Sequence, residues 1–229
     1  MTAQPTHPLL DYPEEAQIAY ISLLGELAYI DRQFDEHERE LLEEKMEQLG
    51  ISDQGKARVY AAVYDLRDSQ REAILTGIKA LADSDLRFTL IADLFIMSLS
   101  NGYISVEEQE YILKIGRELE IQDEQINAIK QVQLNLWKLR NSPSNSELFK
   151  NLIRESASSL AGAGVPIAAV ASAGSVFGLS AAGLTSGLAA LGALVGGGML
   201  AGTVLVVPAI AAGSMWGVKK LADLVVKVN

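Results

Sequence analysis

Two short acidic turns hold the side chains of this chain best able to do chemistry. Asp31, Asp35 and Glu38 lie in the first, and Asn101, Ser105, Glu107 and Glu108 lie in the second. Hard cations such as Ca2+ and Mg2+ take several oxygen ligands, most of them carboxylates. If the two turns meet in space, Asp31, Asp35, Glu38 and Glu108 are the candidate ligands of a divalent cation, the one cofactor class that these residues suit. The spacing does not match a twelve-residue EF-hand loop with its central glycine. The same residues have a second reading. Asp35-Glu36-His37-Glu38 and Ser105-Val106-Glu107-Glu108 both fit a capping box, in which the first side chain accepts an orphan backbone N–H and the glutamate reaches back to the cap residue. Acidic residues there also favour the positive end of the helix dipole. The sequence leaves both readings open.

Other chemistries find little support. There is no cysteine, so neither a disulfide framework nor a thiolate nucleophile is available. The two histidines are His7, expected in a mobile N-terminal segment, and His37, expected to be solvated in the first turn of an acidic helix. The chain carries no Gly-x-Ser-x-Gly elbow, phosphate-cradling Gly-Lys-Ser/Thr loop or His-Glu-x-x-His pair. The expectation is a protein that is not an enzyme. Net charge is -10. Lys219, Lys220 and Lys227 against Asp223 give the tail +2, which leaves -12 on residues 1–155. Such an acidic body repels nucleic acid, where Lys and Arg must neutralise phosphates. Residues 1–15 have no basic stretch followed by an apolar one, so a cytoplasmic N-terminal domain is expected.

The elements that must position the turns are helical. Apolar residues recur three and four apart: Ile18, Ile21, Leu24 and Ala28; Leu41, Leu42, Met46 and Leu49; Ile74, Ile78 and Leu81; Leu90, Leu94 and Met97; Ile112, Ile115 and Leu119. That period fits amphipathic helices and not strands. About seven helices are predicted, over 13–30, 36–49, 55–66, 69–82, 86–100, 106–119 and 123–140. Residues 27–53 and 97–123 repeat at an offset of 70. Asp31 then falls on Asn101, Asp35 on Ser105, Glu38 on Glu108, Leu49 on Leu119 and Ile51 on Ile121. Each copy reads as a helix, a turn and a second helix, and two such hairpins can bury their apolar faces in one compact bundle.

An apolar helix running into an Ala-x-x-Asp-Gly-x-Ile turn, a polar cap and a glutamate-led amphipathic helix resembles the tellurite-resistance TerB-like family, over about residues 16–135. The resemblance implies an all-helical fold of about seven helices, no established catalysis, divalent-metal binding and attachment to membrane-linked stress or defence systems. The first copy has Arg32 where the family favours Gly, and the second has Asn101 where it favours Asp.

Beyond residue 140 the composition changes. Asn-Ser-Pro-Ser-Asn-Ser, residues 141–146, reads as a linker between an acidic domain (1–140) and a C-terminal module (147–229). The module opens on an amphipathic helix, suited either to a membrane surface or to the bundle. Residues 156–218 then contain no charged residue, with 13 Gly and 16 Ala among 63 positions. A run of about 20 apolar residues can span a bilayer. Small residues recur four apart, at Gly174 and Gly178, Gly183 and Gly187, Gly192 and Gly196, and Gly198 and Gly202. On helices these make flat faces for close approach, as in membrane helix pairs. The predicted architecture is all-α: a bundle followed by a Gly-zipper hairpin with arms around 165–194 and 199–218. Membrane lipid and further copies of the chain are the expected partners, and residues 156–218 the route to membrane association. A constitutive hairpin, conditional insertion with pore formation, and a buried oligomer core all fit this composition. No protein partner of the acidic domain can be named from the sequence.

Overall fold

The structure is a computed structural model, and it describes residues 7–32, 34–80, 85–141 and 146–173. A 3-10 turn at Pro8–Asp11 leads into nine α-helices among those residues. They are α1 (Glu14–Ala28), α2 (Glu36–Gln48), α3 (Asp53–Asp65), α4 (Asp68–Lys79), α5 (Leu86–Ser98), α6 (Val106–Glu118), α7 (Asp123–Arg140), α8 (Ser146–Gly162) and α9 (Ile167–Ala173). No strand occurs among the described residues. The seven helices expected from periodicity correspond to α1–α7. Leu81 and most of the 141–146 stretch lie outside the described residues.

Two helices form the centre because they are apolar nearly all round, the signature of a helix with no solvent face. In α1, Ile18, Ile21, Leu23, Leu24 and Leu27 are all buried, and in α5 so are Leu90, Ile91, Ala92, Leu94 and Phe95. The other helices carry polar outer faces and pack around this pair. Gly25 lets α3 close on α1: a Cβ there would lie 2.7 Å from Val63 Cγ2.

The repeat is longer than the hairpin read from the sequence. At an offset of 70, α2 falls exactly on α6, and α1 and α3 fall on α5 and α7, with α4 as the connection between the halves. The turns obey the same register. Asp35 and Ser105 head full capping boxes closed by Glu38 and Glu108. At the far ends of these helices Ile51 N–H donates to the Met46 carbonyl and Ile121 N–H to the Gly116 carbonyl, a helix-terminating bond that needs a left-handed residue just before it. Gly50 (φ 69°) and Glu120 (φ 59°) supply that residue. The turns after α1 and α5 likewise need one, at Arg32 (φ 65°) and Gly102 (φ 94°). Each pair of left-handed positions therefore has glycine in one copy only.

The bundle does not stop at α7. α8 packs on α7, where Asn135 Nδ2 donates to Ser156 Oγ at 3.2 Å, and α9 packs on α5, where Thr89 Oγ1 donates to the Ala169 carbonyl at 3.1 Å. Leu160, Val165, Ala169, Val170 and Ala173 join the main core. Of the two places open to the amphipathic helix after the linker, the structure puts it against the bundle. Residues 165–173, expected to begin the first hairpin arm, hold the short bundle helix α9 (Ile167–Ala173). No helix among the described residues is long and apolar enough to cross a membrane. The remainder of both arms, with Gly174, Gly178, Gly183, Gly187, Gly192, Gly196, Gly198 and Gly202, lies outside the described residues.

Arg32 bears the cost of a left-handed backbone that its repeat partner Gly102 avoids. A non-glycine residue there costs on the order of 1–3 kcal/mol, and part of any gain on replacement is returned through the looser unfolded chain. Arg32→Gly is expected to raise stability by about 1 kcal/mol in urea denaturation.

Candidate functional site

Two buried carboxylate centres stand out, and their surroundings are opposite. The first is Asp93, in the middle of α5 and fully buried. Its Oδ2 receives three groups from three other elements: Lys45 Nζ of α2 at 2.5 Å, the Tyr20 hydroxyl of α1 at 2.7 Å, and His7 Nε2 at 3.0 Å. Oδ1 accepts no hydrogen bond among the described residues. Burial alone would push this carboxyl up, but the Lys45 charge and then His7 outweigh it and hold Asp93 below the usual carboxylate range. The Tyr20 hydroxyl is pushed far up by burial and by the adjacent Asp93 charge. Lys45, itself fully buried, is pulled down by burial against the opposing attraction of Asp93.

His7 corrects the expectation of a mobile N-terminal segment, since it is 1% exposed. The reason is local. Its Nδ1 accepts the Leu9 N–H at 3.1 Å and so caps the 3-10 turn. An Nδ1 that accepts carries no proton, so the neutral ring presents Nε2–H to Asp93. Burial lowers the His7 pKa from its usual value. The sign follows from linkage: this docking contributes fully above about 6.5, the free histidine value, and is lost as pH falls below it. His37, by contrast, is exposed as expected.

The second centre joins the acidic turns. Glu38 and Glu108 are each 4% exposed, one from each copy of the repeat. Glu38 Oε2 accepts the Asp35 N–H at 2.9 Å, and Asp35 Oδ1 accepts the Glu38 N–H at 2.9 Å. Glu108 Oε2 accepts the Ser105 N–H at 2.7 Å, and Ser105 Oγ accepts the Glu108 N–H at 3.1 Å. Glu108 Oε1 is buried with no hydrogen-bond partner among the described residues. Burial pushes the Glu38 carboxyl up to about 8, against the Asp35 N–H and with the added negative charge of Asp35, Glu108 and Asp31. The other three acids singled out in the sequence therefore all act electrostatically on Glu38. Both capping boxes form, however, and each engages one oxygen of its glutamate. Among the described residues no group of three or more His, Asp or Glu side chains is disposed to hold a metal ion. Glu38 as it stands favours a bound proton over a share in a cation shell.

A third polar cluster, at the α1–α4–α6 junction, is structural. Arg71 binds Glu26 through two guanidinium nitrogens, and the Tyr111 hydroxyl donates to Glu26 Oε2 at 2.7 Å.

The fold and the paired capping turns place the chain in a class of all-helical, repeat-built domains. The family model of the tellurite resistance protein TerB matches residues 17–131, half of the chain, and the chain belongs to that family. Comparison with curated proteins and with solved structures finds no match. The matched span takes in both capping turns and Asp93 but not His7, α8 or α9, which complete the core from outside it.

Sequence reasoning passed over Lys45 and Asp93. The signals were present: Asp93 interrupts the apolar run from Leu90 to Met97, and Lys45 lies on the stripe of Leu42, Met46 and Leu49. Repeat register sharpens the point, because Lys45 falls on Ile115 and Asp93 on Leu23, both buried and apolar. Removing one partner of a buried pair leaves an uncompensated charge and costs about 3–5 kcal/mol, whereas replacing both by apolar residues is often near neutral. Lys45→Ile alone should lower unfolding free energy by that amount. Lys45→Ile with Asp93→Leu, which copies the other half of the molecule, should recover more than half of the loss in urea denaturation.

Proposed function

We propose that this chain is a non-enzymatic adaptor of a tellurite-resistance-related stress response, with the Glu38–Glu108 pair as its sensing element and the apolar stretch beyond Ala173 as its attachment to a membrane. Family membership supports the stress-response setting. The observation that carries the sensing role is the Glu38 carboxyl, raised to about 8 by burial and by neighbouring acids. Such a group changes charge near neutral pH, and it does so where the two halves of the repeat meet. Protonation relieves repulsion between the halves; ionisation restores it. A divalent cation, as the family resemblance implies, would neutralise the same repulsion after the capping oxygens rearrange.

The non-enzymatic reading draws on the lining of a groove of about 440 Å³ between α1, α3 and α4. Its hydroxyl group, Ser22, donates to the Ile18 carbonyl at 2.8 Å, and no imidazole stands beside it to activate it. The attachment reading draws on the uncharged sequence that continues to residue 218. The second reading is a soluble homo-oligomeric scaffold, in which the Gly/Ala-rich half forms a buried core through its small-residue faces.

Flotation with liposomes separates these readings. The full-length chain is expected to rise with lipid and a chain ending at Ala173 to remain below. The floating fraction is expected to change across pH 8 in the wild type and not in Glu38→Gln. Flotation indifferent to pH would remove the sensing role. A full-length chain that stays below as a defined oligomer would establish the scaffold.

A further inference from the structure

The turn that carries the acids also carries a group of aromatic rings. Tyr64, near the end of α3, packs edge-on against Tyr29 at the end of α1, with centroids 5.0 Å apart and planes at 72°. It also meets Phe34 in the turn, at 6.4 Å and 90°. Tyr60, one helical turn before Tyr64, donates its hydroxyl to Glu43 Oε1 of α2 at 2.8 Å. Three elements thus contribute rings to one face. Tyr64 is 59% exposed, one of few large apolar side chains so placed among the described residues. Tyrosine is enriched at the energetic centres of interfaces, where its ring gives contact area at low entropic cost.

The charge around the rings is one-sided. Residues 31–44 carry six carboxylates besides the buried Glu38, against Arg32 and Arg39. Arg39 is already held by Glu36 and Glu43, and Asp65 adds a further exposed carboxylate beside Tyr64. Aromatic faces attract cations, so rings and carboxylates select the same kind of occupant. Anionic lipid and nucleic acid are repelled by the same charges.

We propose that the face built by Tyr29, Phe34, Tyr60 and Tyr64 is a docking surface for a basic amphipathic protein segment, its Arg or Lys side chains set among the carboxylates and its apolar side chains against the rings. This gives the adaptor reading a partner of defined chemistry and rests on that reading. Because the rings border the Asp31–Glu38 turn, such a partner would sit beside the sensing pair.

The test uses the full-length chain and a fluorescein-labelled amphipathic peptide of leucine, arginine and lysine, followed by fluorescence anisotropy. Its counterpart with glutamate in place of the basic residues is the control. The basic peptide is expected to bind, more weakly as salt rises, and the acidic one is not. Tyr64→Ala leaves every charge in place and is expected to weaken binding about fivefold; Tyr64→Phe, which keeps the ring, is expected to bind as the wild type does. Equal binding by Tyr64→Ala and wild type would reduce the face to diffuse attraction and overturn the proposal, as would equal binding of the two peptides or none of the basic one. Loss of the Glu38 pH response with Tyr64-dependent binding intact would sink the sensing role and leave this surface standing.

Discussion

The bundle is organised around one buried negative charge. Asp93 sits in the apolar centre of α5, where an isolated carboxylate is too costly to remain ionised. It stays ionised because Lys45, Tyr20 and His7 converge on a single oxygen. That convergence ties α2, α1 and the N-terminal turn to α5. Burying charges usually contributes little net stability beside an apolar alternative, and the alternative is visible within the molecule, where Leu23 and Ile115 occupy the corresponding places in the other half. The ion pair therefore acts on arrangement more than on energy. It makes the two halves of the repeat unequal, and it gives the N-terminal turn a fixed anchor that the TerB match does not include.

Glu38 is the counter-case. It too is withdrawn from solvent, though less deeply than Asp93, and its neighbours are carboxylates and a capping N–H instead of a lysine and a histidine. Loss of water, which Lys45 offsets at Asp93, is reinforced at Glu38 by Asp35, Glu108 and Asp31. One carboxylate is thereby fixed as a charge and the other is poised to change it. A capping glutamate on the surface would do neither. The difference comes from the folding of the repeat, which removes both glutamates from solvent and leaves Glu38 within reach of the Glu108 charge.

Much of this was legible in the sequence, for identifiable reasons. The helices followed from apolar spacing, and the capping boxes from Asp35–Glu38 and Ser105–Glu108, because these are local rules. The offset of 70 pointed to a repeated hairpin, and the third helix of each repeat was missed because α3 and α7 share few residues. Arg32 and Glu120 look like faults in the pattern until the backbone shows that Gly102 and Gly50 hold the same left-handed conformation. The Asp93 centre was not found, because its members lie in four elements and only tertiary structure assembles them. His7 carried no signal of its own, since a polar residue among prolines near a terminus reads as loop. The boundary at 141–146 was clear in composition, yet packing continues past it, because Leu160, Val165 and Val170 are apolar enough to extend the core and nothing local reveals which surface they cover.

Environment divides the buried carboxylates Asp93 and Glu38 into a fixed charge and a variable one. The most direct test of this division is a carbon-detected NMR titration of the side-chain carboxyls of Asp93 and Glu38 in the folded protein. Glu38 is expected to titrate at about 8, with no Asp93 transition above the ordinary aspartate range. A Glu38 that titrates near its usual value, or an Asp93 that takes up a proton near neutrality, would contradict it.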